Sequence, residues 1–431
     1  MTVSRFIRAA AVSGGIVLVV SMPLATLGQA AEPGVSASAS ASASPGPDAV
    51  AWGGLLWTAP TPAPDGDVRV VIPFGSSLVA VGSVNGSDRT SAAAWRSQDS
   101  GVTWERTLLD GEPGGDAQLS FVVPTSSGLL AIGSAGPRCL VEGEGAQCPR
   151  LPTDVWTTWT SVDGTAWTRI PRPPVFVGAD ISGLASGPGG LMAIGSRGFD
   201  HPRLWTSTDG TDWQAQHLPG DVFRSAHFMD VASTPGGWVI VGSAGGTPPT
   251  GMAISDPNGS RGAAWLSTDG QTWTAAHVAG HGSQVELRTV YQGADGLVAL
   301  GTREGGQEGT VWTSKDGQRW IMTPSTPDGT YPLWPLAADG KRILGDSSVD
   351  GDSILFVVSS DGVTWRPLAN LGATATMPGW SSASGAPTVY SAFVLPDGVL
   401  FFGQMADAVV TWRTTVVPTD MVLPSPMPSP S

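Results

Sequence analysis

Short apolar segments, each followed by a glycine, recur along the chain. Four apolar residues bounded by polar or turn-forming residues are typical of a strand buried on both faces. Seven segments have this form, the sixth with two basic residues at its start: 78–82, 129–133, 191–195, 238–242, 297–301, 341–345 and 399–403. A further short strand and a turn rich in Gly, Asp or Pro precede each segment, as in 231–237 and 290–296.

A polar turn follows six of these segments, and a tryptophan ends each copy. The copies are 95–104, 159–167, 205–213, 265–273, 312–320 and 357–365, and five of them also begin with tryptophan. The Asp-Gly pair in five of the copies is typical of a tight hairpin turn. Each unit therefore predicts four antiparallel strands, which we name A to D from inside outward: one blade of a β-propeller.

The last unit contains strands A, B and C but no strand D. The N-terminal segment 53–60 resembles the strand-D segment 164–171 and supplies what is missing. We therefore predict an all-β protein, a seven-bladed β-propeller of four-stranded antiparallel blades over residues 50–417. Residues 51–60 are expected to close the ring by pairing with blade seven.

The turn motif resembles the Asp-box, or bacterial neuraminidase repeat, of the sialidase-like propellers. Residues 97–104 match Ser-x-Asp-x-Gly-x-Thr-Trp in full, whereas the other five copies are one residue shorter. Aspartate in such a turn accepts hydrogen bonds from nearby backbone N–H groups, and glycine adopts the positive φ that the turn needs. We predict this structural role for Asp99, Asp163, Asp209, Asp269, Asp316 and Asp361.

The resemblance also implies what an active sialidase would need: three arginines, a tyrosine nucleophile assisted by a glutamate, and an aspartic acid. It further implies Arg-Ile-Pro on an inner strand of the first blade, where this chain has Val-Ile-Pro at 71–73. The Arg-Ile-Pro at 169–171 is expected at the end of an outer strand. Arg69, Arg224 and Arg288 can in principle converge, and Tyr390 is expected on an inner strand. Asp221, Asp230 and Glu286 offer no evident catalytic pair.

Long connections indicate which rim of the propeller carries a site. The B-to-C and D-to-A connections share one rim and are long at 134–154, 171–180, 217–227, 243–262, 277–286 and 369–387. Candidate ligand-binding residues there are Asp221, Arg224, His227, His281, Glu286, Arg288 and Tyr331, with Tyr291 nearby. Arginine and histidine beside carboxylates can hold an anionic or sugar ligand, although a solvated rim has the same composition. His277 and His281 lie in a Gly-rich loop, so we predict no metal site.

The N-terminal segment indicates an extracytoplasmic protein. Residues 1–30 resemble a secretory signal, with Arg5 and Arg8 before an apolar stretch; the alternative is a retained membrane anchor. Residues 31–49 form a Ser/Ala/Pro-rich linker, and 418–431 a Pro/Ser-rich tail predicted to be disordered. Outside the cytoplasm, Cys139 and Cys148 are expected to form a disulfide, with two free thiols as the alternative.

The net charge of the chain argues against nucleic acid as a partner. The chain has 36 acidic and 22 basic residues and a formal charge of −14, which opposes binding to nucleic acid. We expect a secreted, monomeric, non-catalytic β-propeller that binds an extracellular or cell-envelope ligand, a glycan or a protein. The alternative is a glycoside hydrolase of exo-α-sialidase type. We expect no cofactor and no membrane span once the signal is removed.

Overall fold

The computed structural model describes the part of the chain that holds the repeats. The described residues are 50–52, 55–57, 61–87, 89–109, 115–137, 155–170, 173–197, 201–245, 260–279, 284–293, 296–303, 308–323, 333–338, 343–349, 353–359, 365–370, 388–395, 398–405 and 408–416. The predicted signal, linker, cysteines and C-terminal tail lie outside them. No helix within these ranges is both long and apolar enough to cross a membrane.

The described residues form seven sheets in chain order, and five of these sheets have four antiparallel strands. Sheet 1 contains β4(Asp67–Phe74), β5(Ser77–Asn85), β6(Thr90–Ser97) and β7(Glu105–Leu108). Sheet 2 contains β8(Gly115–Thr125), β9(Gly128–Pro137), β10(Val155–Ser161) and β11(Thr168–Ile170). Sheet 3 contains β12(Asp180–Gly187), β13(Gly190–Ser196), β14(Pro202–Ser207) and β15(Gln214–Ala215). Neighbours in sequence are neighbours in each sheet, which is the strand order of a propeller blade.

The remaining sheets repeat this order with two additions. Sheet 4 contains β16(Ala226–Thr234), β17(Gly237–Ala244), β18(Arg261–Ser267) and β19(Thr274–Ala275). Sheet 5 contains β21(Glu286–Gly293), β22(Gly296–Arg303), β23(Glu308–Ser314) and β24(Arg319–Thr323). Sheet 6 contains β25(Leu333–Ala338), β26(Ile343–Val349), β27(Ser353–Ser359) and β28(Trp365–Asn370). Outside β24, sheet 5 has a fifth, parallel strand, β20(His277–Ala279), in a segment that we expected to be a loop.

Sheet 7 is built from both ends of the chain. It contains β29(Thr388–Leu395), β30(Gly398–Met405) and β31(Ala408–Val416). The N-terminal strands β1(Val50–Trp52), β2(Leu55–Trp57) and β3(Thr61–Pro62) complete it. Leu55 pairs with Val416, and Thr61 pairs with Thr411, so β2 and β3 both run antiparallel to β31. β1 folds back on β2 as an additional outer strand.

A β-bulge interrupts strand A of every sheet at the same place. The residue that precedes the bulge faces the glycine that ends the apolar segment of strand B, for example Val68 opposite Gly82 and Phe228 opposite Gly242. A Cβ on Gly82 would overlap the carbonyl oxygen of Asp67, and one on Gly242 would overlap that of His227. These glycines therefore do not end strand B, although they end its apolar segment. They lie inside the strand, because the bulged backbone leaves no room for a side chain.

Tryptophans on strand C fill the core between sheets. Five of them begin a copy of the turn motif, the sixth lies on β31, and each is at most 2% exposed: Trp95, Trp159, Trp205, Trp265, Trp312 and Trp412. Burial of such large rings on strand C of six of the seven sheets fixes these sheets against their neighbours. The core clusters join residues of neighbouring sheets, as where Val79 of sheet 1 packs with Leu119 of sheet 2.

Candidate functional site

The starts of two neighbouring inner strands bring three of the predicted residues together. His227 opens β16, and Glu286 and Arg288 open β21. His227 Nδ1 lies 3.8 Å from Glu286 Oε1, and Arg288 Nε donates a hydrogen bond of 3.0 Å to Glu286 Oε2. The Glu286 side chain is 20% exposed and the Arg288 side chain 31%. A half-buried carboxylate thus contacts two cationic or hydrogen-bonding groups at the junction of sheets 4 and 5.

These residues occupy two positions that recur in every sheet. Each bulge inserts one residue into strand A, and we call the place of this inserted residue the bulge position. We call the place two residues earlier in the sequence the rim position. The rim positions are Asp67, Gln118, Asp180, His227, Glu286, Trp334 and Thr388. The bulge positions are Arg69, Ser120, Ser182, Met229, Arg288, Leu336 and Tyr390. Bulges at the ends of strands commonly redirect a side chain toward a site.

Sheet 1 repeats the acid–arginine pair of sheet 5. Arg69 Nη2 lies 2.7 Å from Asp67 Oδ2, and the two side chains are 44% and 47% exposed. As in sheet 5, the acid holds the rim position and the arginine the bulge position. The sequence prediction named Arg69 only as a possible converging arginine and omitted Asp67. The spacing of two residues between acid and arginine, opposite a strand-B glycine, is the signal that could have found the pair.

The inner strands pack side by side, so the rim and bulge positions of neighbouring sheets are close. β4 packs against β8, β8 against β12, β12 against β16, and β16 against β21. Ser182 Oγ, at a bulge position, donates a hydrogen bond of 2.9 Å to the carbonyl oxygen of Phe228 on the next sheet. We call the surface formed by the rim and bulge positions the mouth.

Asp230 lies directly after the bulge of β16 and is buried beneath the mouth. Its Oδ1 accepts a hydrogen bond from Val231 N, and its Oδ2 accepts one of 2.9 Å from Val290 N on sheet 5. Burial raises the pKa of Asp230 to about 7, against the lowering effect of these two N–H donors. The equivalent positions in sheets 1 and 2 are the buried apolar residues Val70 and Phe121.

Two predicted residues lie beside the mouth rather than in it. Asp221 and Arg224 are exposed on the connection between sheets 3 and 4. Between them, Phe223 is buried with its ring centroid 5.7 Å from that of Trp265, and Trp265 Nε1 donates to the carbonyl oxygen of Val222. This apolar anchor fixes the connection and leaves both charged side chains on its outer surface. The structure shows no contact of either one with His227 or Glu286 within the described residues.

Other predicted residues are either unsuited to the mouth or outside the described residues. Tyr291 is buried, which raises the pKa of its hydroxyl well above the usual value, so this group is not an exposed nucleophile. Arg169 lies on the outer strand β11, where its Nε donates to Thr157 Oγ1. His281, Tyr331, Asp361, Cys139 and Cys148 lie outside the described residues, and so do the side chains of Trp334, Leu336, Thr388 and Tyr390.

The aspartate turns lie between strands C and D and share one hydrogen-bond pattern. In sheet 3, Asp209 Oδ1 accepts hydrogen bonds from the backbone N–H groups of Thr211 and Asp212, and Ser207 Oγ accepts one from Gly210 N. Trp213 Nε1 donates to the carbonyl oxygen of Gly210. The turns at Asp99, Asp163, Asp269 and Asp316 use their carboxylates in the same way.

These hydrogen bonds favour the ionised form of the turn carboxylates. The N–H and hydroxyl of Thr211 are the main cause that lowers the pKa of Asp209 to about 2. The N–H groups of Thr272 and Gln271 hold the pKa of Asp269 well below its usual range. These hydrogen bonds lie within the turn, so the aspartates stabilise the hairpins. The turns follow the end of strand C that is opposite to the mouth, as Ser207 pairs with Leu191 whereas Asp180 pairs with Ser196. No cluster of three or more potential metal ligands occurs among the described residues.

Comparisons with known proteins give structural similarities only. No model of a protein family matches the chain, and no curated protein sequence matches it. The Trypanosoma rangeli sialidase in complex with sialic acid is 12% identical with a TM-score of 0.42, and the alignment covers 83% of this chain and 57% of that chain. The chain thus spans little more than half the length of that sialidase.

Two further solved structures show the range of the similarity. The β-propeller domain of the trilobed protease from Pyrococcus furiosus is 8% identical, with a TM-score of 0.48 and coverage of 83% of this chain and 97% of that chain. The phage phi92 endosialidase is 12% identical, with a TM-score of 0.42 and coverage of 88% and 71%. These neighbours are sialidases and a β-propeller, and the geometry of this chain alone defines its candidate site.

Proposed function

We propose that the chain is a secreted, seven-bladed β-propeller that binds an extracellular or cell-envelope glycan at the mouth and catalyses no reaction. The observation that carries the proposal is the contact of His227, Glu286 and Arg288 across two sheets, at positions that recur in every inner strand. Polar groups converging at the end of a rigid scaffold are typical of ligand sites.

Contacts between sheets support a closed ring. Successive inner strands pack against one another from β4 to β21, β25 packs against β22 and β23 of sheet 5 and against β29, and β29 packs against β4. β2 and β3 pair with β31, so the first and last strands of the described residues lie in one sheet. A closed ring has no free sheet edge between its first and last blades, and it places all rim positions around one axis.

The chemistry of the mouth supports a hydroxyl-rich ligand. Carboxylates accept hydrogen bonds, guanidinium groups donate them, and the hydroxyl and amide side chains of Ser120 and Gln118 do both. Both arginines already pair with acids on their own strands. Their positive charges are therefore neutralised before any anionic substrate arrives. This pairing favours binding over the hydrolysis that the sialidase resemblance would imply.

A glycoside hydrolase of exo-α-sialidase type is the second candidate, and one observation favours it. Arg69, Arg288 and Tyr390 all occupy bulge positions, so two arginines and a tyrosine share the same register on three inner strands. Turnover of a fluorogenic sialoside that Tyr390→Phe or Arg288→Ala abolishes would establish this function.

A glycan array probed with the purified chain tests the proposed function. We expect wild type to be retained on a subset of glycans and Arg288→Ala to lose that retention. Arg319→Ala is the matched control, because Arg319 is exposed on the outer strand β24 of the same sheet. Retention that survives Arg288→Ala would contradict the assigned site. The absence of retention on any glycan would contradict glycan binding, and sialoside turnover would contradict the absence of catalysis.

A further inference from the structure

The charge of the mouth indicates which class of glycan it accepts. Among the rim and bulge positions there are three carboxylates, of Asp67, Asp180 and Glu286, and two guanidinium groups, of Arg69 and Arg288. With His227 neutral, the mouth has a formal net charge of −1, within a chain whose charge is −14. An anionic ligand therefore approaches a surface of its own sign, which opposes association.

Each arginine forms an ion pair with a carboxylate of its own strand, which neutralises its charge. Asp67 and Glu286 are fixed only two residues from Arg69 and Arg288, at distances of 2.7 Å and 3.0 Å. A ligand carboxylate or sulfate that paired with either arginine would lie beside the resident carboxylate. Like charges so close together repel strongly in a partly buried site, where water screens them less than in bulk.

The same pairs suit neutral hydroxyl groups. A carboxylate in contact with one guanidinium N–H keeps further lone pairs, and the guanidinium keeps further donors. Each pair therefore presents a donor and an acceptor side by side, which matches two adjacent hydroxyls of a sugar. Hydrogen bonds with one ionised partner are roughly twice as strong as those between neutral groups, so such contacts need no ligand charge.

We propose that the mouth selects neutral saccharides and rejects acidic ones such as sialylated, uronic or sulfated glycans. This inference rests on the proposed function and specifies its ligand. It departs from the sialic acid that the sialidase resemblance would suggest.

The test uses a glycan array that contains neutral gluco-, galacto- and manno-oligosaccharides together with sialylated, uronic and sulfated glycans. We expect wild type to bind neutral glycans only. Glu286→Gln keeps the size of the side chain but leaves Arg288 without its acid. We expect this variant to lose neutral binding on the order of tenfold, the cost of about one charge-assisted hydrogen bond, and to gain binding to acidic glycans.

Two further variants separate the local effect from changes in overall charge or folding. Arg288→Gln should also weaken neutral binding but should gain no acidic binding, because it adds no free cation. Glu105→Gln makes the same charge change on the exposed outer strand β7 and should leave the binding profile unchanged. Thermal melting of each variant verifies that it is folded.

The outcomes distinguish this inference from the function on which it rests. Wild-type binding to acidic glycans alone would overturn the neutral preference while glycan binding stands. A Glu286→Gln profile identical to that of wild type would overturn the role of the acid–arginine pair. If wild type binds no glycan at all, the proposed function fails, and the neutral preference fails with it.

Discussion

The carboxylate of Asp230 on sheet 4 accepts a hydrogen bond of 2.9 Å from the backbone N–H of Val290 on sheet 5. Its other oxygen accepts a hydrogen bond from Val231 N on its own strand. The two sheets that meet here are those that bring His227 to Glu286. A buried carboxylate thus joins the inner strands of the two sheets that carry His227 and Glu286.

Replacement of Asp230 by alanine should destabilise the protein strongly. The substitution leaves the N–H groups of Val231 and Val290 buried without acceptors, at about 1–3 kcal/mol for each group. Asp230→Asn keeps one acceptor and should cost less than the alanine change. Urea denaturation at pH 8 measures both variants, and an alanine variant as stable as wild type would show that these two hydrogen bonds contribute nothing.

The stability difference between wild type and Asp230→Asn should depend on pH. Burial raises the folded-state pKa of Asp230 to about 7, above its value of 3.8 in the unfolded chain. The folded state therefore binds more protons between these values, and this contribution is fully present below pH 4 and lost as the pH rises toward 7. The unfolding free energy of wild type minus that of the asparagine variant should fall over this window, and a rise would contradict the assignment.

The carboxylates of the aspartate turns should act in the opposite direction and at lower pH. The pKa of Asp209 in the folded state is about 2, below 3.8, so its contribution is present above pH 4 and lost as the pH falls toward 2. Asp209→Asn should therefore destabilise at pH 7 by about 1 kcal/mol or less, because solvent screens this exposed turn, and the effect should shrink by pH 3. Asp212→Asn in the same turn is the control and should change little.

Much of the fold could be predicted from the sequence because its signals are local. The alternation of apolar segments with aspartate turns identifies strands B and C in six of the seven units, and a Trp on strand C identifies the core in six sheets. The bulge could not be predicted, since its inserted residue is Arg69 in one sheet, Ser120 in another and Met229 in a third. The one residue type that recurs at every bulge is the strand-B glycine on the facing strand. In the sequence, a glycine followed by polar residues is typical of a turn and so does not indicate a bulge.

The candidate site was predictable only in part for a related reason. His227 and Glu286 are 59 residues apart, and their contact depends on how sheet 4 packs against sheet 5. Loop length directed attention to the rim where the inner strands begin. Loop length also led to the selection of Asp221 and Arg224. The sequence alone does not distinguish a charged residue of an exposed loop from one at the start of an inner strand.

Substitution of a strand-B glycine tests the coupling between the bulge and the mouth. In Gly242→Ala the added methyl group would overlap the carbonyl oxygen of His227, so the strand must shift at a cost of about 3 kcal/mol. Glycan binding should weaken with it, because His227 moves. Gly220→Ala is the matched control, since a Cβ there contacts nothing within 4 Å. If both variants melt alike, the glycine is not required by the bulge.

Removal of residues 50–62 should open sheet 7 and lower the melting temperature of the whole protein. The deletion strips β31 of its pairing with Leu55–Trp57 and Thr61–Pro62 and removes the hydrogen bond of 2.8 Å between the hydroxyls of Thr61 and Thr411. An exposed edge with unpaired backbone groups then borders the junction between first and last sheets. We expect a fall of at least about 5 °C, measured by circular dichroism.

Addition of a synthetic peptide of residues 49–62 to the shortened chain tests whether lost strand pairing causes the fall in melting temperature. If strand pairing with β31 is what the deletion removes, the peptide should restore the melting temperature as its concentration rises, by mass action. The same peptide with Leu56→Pro lacks one backbone N–H donor and should restore the melting temperature poorly. Deletion of 418–431 should have no effect. Equal stability of the full-length chain and the chain without 50–62 would show that the N-terminal strands do not close the ring.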